Sequence, residues 1–570
     1  LTDLVSEDSD VVPTKASNSD VSPWWKTGPI YQIFPRSFCD TNGDGVGDLR
    51  GIIEKLDYLN DGTDRSLRVK GIWLSPIYPS PGRDSGYDVA DHETIDPKFG
   101  SMDDFDALVA ECRRRGIHVV MDMVLNHTSD LHRWFLESRS DRNDPRRDWY
   151  IWREPRRRGR PPNNWRSFFG GPAWTFDEDT QQYFLHTFLP QQPDLNWQNP
   201  EVRSACLGIF RFWLERGVSG FRLDVFNAYF KHPELLDNPR QLGTTPWTRQ
   251  RQLYNKDRPE LHDFLIELRS LLDEYPETMA VGETFDAQAE LAASYCKQLH
   301  MAFDFDFLQQ PWKPRSFQRT IKKWDGLLAS QGSWPCYVLS NHDHPRHAGR
   351  YGQGVSPSEA DARAKIAAAM LLTLRGTPFI YSGEEIGLRD VPIPSHEEWD
   401  VAFKYGSRDP SRTPMQWNSD VNAGFSSGHP WLRVAPDYHT RNVAIQEGDP
   451  RSILSFYRRL VTLRNDTPAL LFGDWQPLQD DPDDTLIYLR EHQGAYAVVA
   501  LNFSNTRRRV TLDKRLPVRY WNARLSTRRP DVGWAVRLDQ TLELGPYEAS
   551  VFTSVDEMSD VNSRERIAIG

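Results

Sequence analysis

The segment NPEVRSACLGIFRFWLERGVSGFRLDVFN, Asn199 to Asn227, decides the fold. Asn199 is suited to cap a helix, and Pro200 takes the first helical position, where its missing N–H costs nothing. Val202, Cys206, Ile209, Phe210, Trp213 and Leu214 then share one face at helical spacing, and Gly217 stops the helix. The apolar run Gly220–Leu223 follows at once and ends in Asp224. Helix, tight turn and buried strand form the repeating unit of a parallel sheet with helices outside.

The same alternation continues through most of the first 470 residues. Strands are predicted at Ile30–Phe34, Gly71–Leu74, Val119–Met123, Gly220–Leu223, Met279–Gly282, Ala302–Phe305, Cys336–Ser340 and Pro378–Tyr381. Eight such strands suit a closed α/β barrel, the (β/α)8 or TIM barrel. A second helix is delimited by Ser101 with Asp104 three residues on, a capping box with the shorter acid, and ends at Gly116. About 70 residues from Thr128 to Trp197, rich in Arg, Pro, Gly and Trp, interrupt the pattern. So long a connection is expected to be a functional subdomain over the C-terminal face of the barrel. After Asp480 the texture becomes short β-alternations between turn signals, so an antiparallel β-domain is expected there. The resulting plan is a disordered leader (1–22), a barrel (23–127 and 198–480), an inserted subdomain (128–197), a C-terminal β-domain (481–556) and a tail (557–570).

Composition narrows the partners. Hydrophobic residues at 38% and charged residues at 26% are those of an ordinary globular protein. No apolar stretch is long enough for a membrane span. A net charge of −11 argues against nucleic acid, which needs clustered cations; the basic run Arg153–Arg160 reads as a solvated loop. Five scattered cysteines without a C-x-x-C pair favour free thiols in a reducing cytoplasm. Aromatic content is high, with 20 Trp, 20 Tyr and 28 Phe; sugar sites use such rings as stacking platforms, but in a chain this long most aromatics fill cores.

Barrel enzymes carry their chemistry on the loops after the strands. Beyond the third strand come Asn126 and His127; beyond the fourth, Asp224 with Arg222 before it; beyond the fifth, Glu283; beyond the seventh, His342 and Asp343. Taken alone, an acid at a strand end is commonly just a helix cap, and Arg222–Asp224 also reads as a structural ion pair. Acids or histidines at four exits of one barrel point to chemistry. Arg222, two residues before Asp224, shares its side of the strand and is placed to keep that acid ionised.

Asp122-Met-Val-Leu-Asn-His127, Gly220-Phe-Arg-Leu-Asp-Val-Phe-Asn227, Gly282-Glu-Thr-Phe285 and Ser340-Asn-His-Asp-His344 resemble the four signature regions of the α-amylase family of glycoside hydrolases. The likeness extends to Gln192-Pro-Asp-Leu-Asn-Trp-Gln-Asn-Pro200. Tyr31-Gln-Ile-Phe-Pro-Arg-Ser-Phe38, Asp84-Ser-Gly-Tyr-Asp88 and Ser411-Arg-Thr-Pro-Met-Gln-Trp417 resemble the α-glucosidase and oligo-1,6-glucosidase branch. The resemblance implies a retaining, exo-acting α-glucosidase with Asp224 as nucleophile, Glu283 as acid/base and Asp343 as the third acid. It implies that His127 and His342 bind sugar hydroxyls, that Asp84 and Arg408 grip the non-reducing glucose, and that Tyr87 is its stacking platform. Glu283 would need burial and nearby negative charge to stay protonated at neutral pH. In this branch the residue after the nucleophile influences linkage, and Val225 resembles enzymes preferring α-1,6 bonds; Phe226 departs from the smaller aliphatic expected beside it. The substrate is expected to be a small oligosaccharide, with no catalytic cofactor. Oligomeric state is not legible.

The loop Asp40-Thr-Asn-Gly-Asp-Gly-Val-Gly-Asp48 sets oxygen-bearing side chains at alternate positions among turn-forming glycines, as a hard cation such as Ca²⁺ or Mg²⁺ requires. An ion-free Asn/Asp/Gly turn gives the same pattern. The family branch has a structural metal at a similar loop, which would assign Asp40, Asn42, Asp44 and Asp48 by side chain and Val46 by its carbonyl. Among alternatives, the Arg/Asp-rich loop of sucrose isomerases is not evident near Lys313–Trp324, whereas transfer of glucose to another sugar stays open. A non-catalytic relative, such as the heavy subunit of an amino-acid transporter, predicts a membrane span and eroded acids; this chain shows neither.

Overall fold

The computed structural model describes residues 22–285, 289–400, 406–528 and 532–555. The expected tail lies outside them, as does the expected leader apart from its last residue. Eight short parallel strands form one sheet: β1 (Ile30–Ile33), β2 (Gly71–Leu74), β3 (His118–Met123), β4 (Gly220–Leu223), β5 (Met279–Gly282), β6 (Met301–Ala302), β7 (Cys336–Val338) and β8 (Thr377–Tyr381). From β1 to β6 each pairs with its neighbour in chain order, β7 pairs with β8, and β8 pairs with β1. A parallel bridge between Asp304 and Tyr337 joins the β6 side to β7 and closes the barrel. The strands are buried on both faces because the helices cover them outside and side chains fill them inside.

The helix Pro200–Glu215 buries the six residues of its apolar stripe, and the Asn199 side chain accepts the Glu201 N–H at 2.9 Å. Gly217 ends the unit in the left-handed region (φ 89°), where an added Cβ would lie 2.7 Å from the Arg113 guanidinium. Ser101 and Asp104 form the reciprocal capping box at the head of the helix Met102–Arg114. One predicted strand is corrected. Ala302–Phe305 alternates as a strand should, yet β6 stops at Ala302, because the Asp304 side chain accepts the Phe307 N–H at 3.0 Å and starts the helix Phe305–Leu308.

Between β3 and β4 the chain leaves the barrel to form the helix Arg133–Ser140 and a three-stranded antiparallel sheet of Trp152–Arg153, Gln182–Leu185 and Trp174–Asp177. The basic run is exposed, apart from half-buried Pro155. Towards the C-terminus a six-stranded antiparallel sheet begins with Asp474–Pro477, upstream of Asp480, and a two-stranded sheet pairs Arg508–Thr511 with Thr541–Leu544. All five cysteines are buried free thiols. Among the described residues no helix is long and apolar enough to cross a membrane.

One buried cation ties the excursion to the barrel. The Lys231 ammonium meets Asp194 at 3.0 Å, donates to Asn126 Oδ1 at 2.9 Å and donates to the Ala228 carbonyl. Asp194, from the returning segment, also accepts from the Thr187 N–H and Asn126. Burial lowers the lysine below its ordinary value and Asp194 opposes this. Lys231→Met leaves a fully buried carboxylate without its cation, at a cost of about 3–5 kcal/mol. The expected result is a clearly lower melting midpoint that the added substitution Asp194→Asn largely restores; an unchanged midpoint in the single variant contradicts the assignment.

Candidate active site

Strand register builds the site. Asp122 of β3 is the register partner of Arg222 of β4, so an acid and a base lie side by side at the upper end of the barrel. Leu223 pairs with Gly282, which brings the next residues, Asp224 and Glu283, to the same level. The Arg222 guanidinium donates to Asp122 Oδ1 at 2.6 Å and to Asp224 Oδ1 at 2.7 Å, and its other terminal nitrogen donates to Glu283 Oε2. Asp122 also accepts the Trp73 indole N–H at 3.2 Å and the Tyr87 hydroxyl at 2.9 Å. A cation removed from water requires such partners.

Above this cluster lies a cavity of about 330 Å³, near the lower end of small-molecule sites, roughly 300–1,000 Å³. Asp84, Tyr87, His127, Asp224, Val225, Glu283, Asp343 and Arg408 all line it. Arg408 ties one end together. It donates to Asp84 Oδ1 at 2.5 Å, to Asp343 Oδ1 at 3.0 Å and to both oxygens of Asp400. Gln192 donates to the other Asp84 oxygen at 2.9 Å and lies 3.0 Å from His127 Nε2. Arg412 adds a second guanidinium on Asp343 at 2.8 Å.

Two expected substrate contacts are not brought to the cavity. Arg222 lies beneath it, with both terminal nitrogens engaged by carboxylates. His342 is also buried underneath: its ring stacks on Tyr87 at 5.2 Å, its Nε2 lies 2.6 Å from the Tyr87 hydroxyl, and its Nδ1 lies 2.8 Å from the Gln32 amide. The sequence reading assigned no role to Asp122, Gln192, Asp400 or Arg412. Of these, Asp122 carried a signal, since an acid in the middle of a strand buried on both faces demands a cation. An apolar collar of Phe168, Phe169, Phe188 and Phe285 completes the wall, with ring centroids 4.7–6.0 Å apart; no periodicity announced it. Val225, beside Phe169 and Phe188, holds a positive φ of 36°, costly for a β-branched residue. That turn leaves its N–H 3.4 Å from Glu283 Oε2.

The acids are tuned apart. Burial pushes Asp224 well above the usual carboxylate range; Arg222 opposes this, while Glu283, Asp122 and Asp343 reinforce it. Burial raises Asp122 as well, against Arg222. Burial alone would raise Asp343, but His342, Arg408 and Arg412 overcome it and hold that acid well below the usual range. One guanidinium does not offset the burial of both Asp122 and Asp224, so each stays above its ordinary value. The expectation that Arg222 simply keeps Asp224 ionised treated the pair as isolated.

The loop Asp40–Asp48 lies outside the cavity. Asp40 Oδ1 accepts the N–H groups of Asn42 and Gly43, and Oδ2 accepts those of Gly45 and the Ser426 hydroxyl. Asn42 and Asp44 each accept the N–H two residues on. Asp48 caps the helix Leu49–Glu54 through the Gly51 N–H and binds Thr41. Gly45 is obligatory: an added Cβ would sit 1.9 Å from the His429 carbonyl. Among the described residues no three His, Cys, Asp or Glu side chains converge to hold a metal ion.

A parallel barrel whose strand ends gather buried acids, one arginine and a sugar-sized cavity defines a polar small-molecule enzyme of the barrel class. The chain belongs to the α-amylase family of glycoside hydrolases: the profile of the alpha amylase catalytic domain matches residues 32–473. It is 43% identical to a probable alpha-glucosidase of Rhizobium meliloti (strain 1021), over 85% of this chain and 90% of the relative. It is 40% identical to the oligo-1,6-glucosidase of Parageobacillus thermoglucosidasius, over 93% and 98% respectively. Among solved structures, the alpha-glucosyl transfer enzyme XgtA superposes with a TM-score of 0.86 at 38% identity, covering 94% of this chain and all of the other. The trehalulose synthase MutB from Pseudomonas mesoacidophila MX-45 gives 0.83 at 35% identity, with 94% and 100% covered.

Proposed function

We propose that the protein is a retaining, exo-acting α-glucosidase that releases glucose from the non-reducing end of short α-glucosides, α-1,6 linkages included. The observation that carries this reading is the single guanidinium shared by Asp224 and Glu283. Such bridging favours the retaining separation of about 5–5.5 Å over the roughly 6.5–9.5 Å of inverting pairs. In the first step the Asp224 carboxylate attacks the anomeric carbon, the glycosidic C–O bond breaks, and Glu283 gives its proton to the departing oxygen. In the second, Glu283 takes a proton from water, whose oxygen displaces Asp224 and releases glucose with its α-configuration kept. Asp343, held ionised, strengthens its hydrogen bonds to the sugar as positive charge develops on the ring. Arg222 and His342 act from below, the first on the acid pair and the second through Tyr87. The Arg408–Asp84 ion pair at one end of the cavity supports an exo mode, since it blocks a chain extending past the first glucose.

Val225 and the phenylalanine collar shape the leaving-group side, and the α-1,6 preference rests on Val225 with the relatives so named. One apolar contact discriminates by only ~1–3 kcal/mol, so the preference is modest. Transfer of glucose to a sugar acceptor shares the covalent step and is favoured by the apolar collar, which limits water. The buried free cysteines support a reducing, cytoplasmic location.

The proposal extends to a structural Ca²⁺ or Mg²⁺ at Asp40, Asn42, Asp44, Asp48 and the Val46 carbonyl. The donors are all hard oxygens, and neither the Val46 carbonyl nor the second Asp44 oxygen accepts a hydrogen bond among the described residues. Because the carboxylates do not converge by themselves, the ion would lean equally on the Asn42 amide and that carbonyl. Metal analysis of protein purified without chelator is expected to find a bound divalent ion, with a higher melting midpoint in Ca²⁺ than in chelator. Finding neither removes the ion from the account.

For the catalytic reading, initial glucose release is expected to be faster from isomaltose than from maltose at equal concentration. Glu283→Gln should lower turnover of both by about 10²–10⁴-fold. Faster release from maltose would keep the mechanism and discard the role given to Val225. Unchanged hydrolysis of an activated aryl α-glucoside by Glu283→Gln would overturn the assignment.

A further inference from the structure

Apart from the acids, Arg408, Tyr87 and His127, the cavity lining is apolar except for His344 and Gln309. His344 follows Asp343 at the exit of β7, and its ring packs 5.4 Å from that of Phe305. Its protonation pattern can be read from the hydrogen bonds. Asn341 Oδ1 accepts the backbone N–H groups of Asp343 and His344, both at 2.9 Å, which fixes that atom as the amide oxygen. The same oxygen lies 3.0 Å from His344 Nδ1, so Nδ1 carries the ring proton and donates. In the neutral ring Nε2 therefore holds a lone pair, and among the described residues it makes no hydrogen bond. Burial lowers this imidazole below its ordinary value, with Asp343 and Glu283 opposing and His342 and Arg350 assisting. The ring is accordingly neutral at neutral pH, an acceptor beside the carboxyl that protonates the leaving oxygen.

Position decides what it accepts from. Arg408, Asp84 and Asp343 close the end that holds the first glucose, whereas Phe305 and Gln309 follow β6, next to the β5 exit that bears Glu283. We propose that His344 is a specificity residue of the leaving-group side: its Nε2 accepts a hydrogen bond from a hydroxyl of the departing sugar and so favours saccharide over hydroxyl-free aglycones. This rests on the α-glucosidase reading. It adds an anchor that Val225 and the phenylalanine collar do not supply, because apolar walls select by shape and cannot reward a hydroxyl.

The test compares kcat/KM for isomaltose and for 4-nitrophenyl α-glucoside, whose leaving group has no free hydroxyl, in the wild type, His344→Leu and His344→Gln. The ratio of disaccharide to aryl substrate should fall about tenfold in His344→Leu and recover in His344→Gln, whose amide oxygen restores an acceptor. The wild-type ratio should also fall towards acid pH, as the imidazole protonates and loses its lone pair, while that of His344→Gln stays flat. This second comparison stands if His344→Leu fails to fold. Equal losses on both substrates, an unmoved ratio in His344→Leu, or a pH-independent ratio in the wild type would overturn the proposal. Absence of any glucose release by the wild type would instead remove the α-glucosidase reading beneath it.

Discussion

The rest of the structure depends on one buried guanidinium. Arg222 is withdrawn from water and compensated by Asp122, Asp224 and Glu283. A charge so placed is costly unless its partners are fixed, and the barrel fixes them: Asp122 is its register partner on β3, Asp224 shares its side of β4, and Glu283 tops β5. The same contacts that satisfy the cation hold the two acids close together. Stability and the geometry of the acid pair therefore rest on one residue, although burial still holds Asp122 and Asp224 above their ordinary values.

Two further cations repeat the logic farther out. Lys231 joins Asp194, from the excursion after β3, to Asn126 and a carbonyl of the barrel. Arg408 joins Asp84, Asp343 and Asp400, which come from three separate loops. In each case a buried positive charge fastens loops that rise from different strands, so the cavity walls cannot drift without exposing an unpaired ion.

Much of this was legible in the sequence because it follows local rules. Asn199, Pro200 and Gly217 mark a helix whose stripe then packs as its spacing requires, and Gly220–Leu223 reads as a buried strand from composition alone. The sixth strand was misjudged because the Phe-Asp alternation of 303–307 mimics period two, while a single Asp304 cap turns the chain helical. Within the site, residues at strand ends were visible because barrel topology sends them to one face. His342 was expected among the sugar contacts but lies under Tyr87, since neighbours on a strand exit can point to different depths. Asp400, Arg412 and the Phe168–Phe188 wall come from irregular loops whose course no periodicity encodes. The ionisation of Asp224 was also beyond a pairwise reading, because it depends on four charges gathered from β3, β4, β5 and β7.

The central claim is that Arg222 holds Asp224 and Glu283 at the spacing of a retaining pair. The most direct measurement is the anomeric form of glucose at the moment of release, followed by proton NMR during fast hydrolysis of an α-glucoside, before mutarotation. The account predicts α-glucose first, relaxing later to the equilibrium mixture. Initial β-glucose would mean a single displacement by water, and would contradict both the nucleophile and the geometry assigned to the pair.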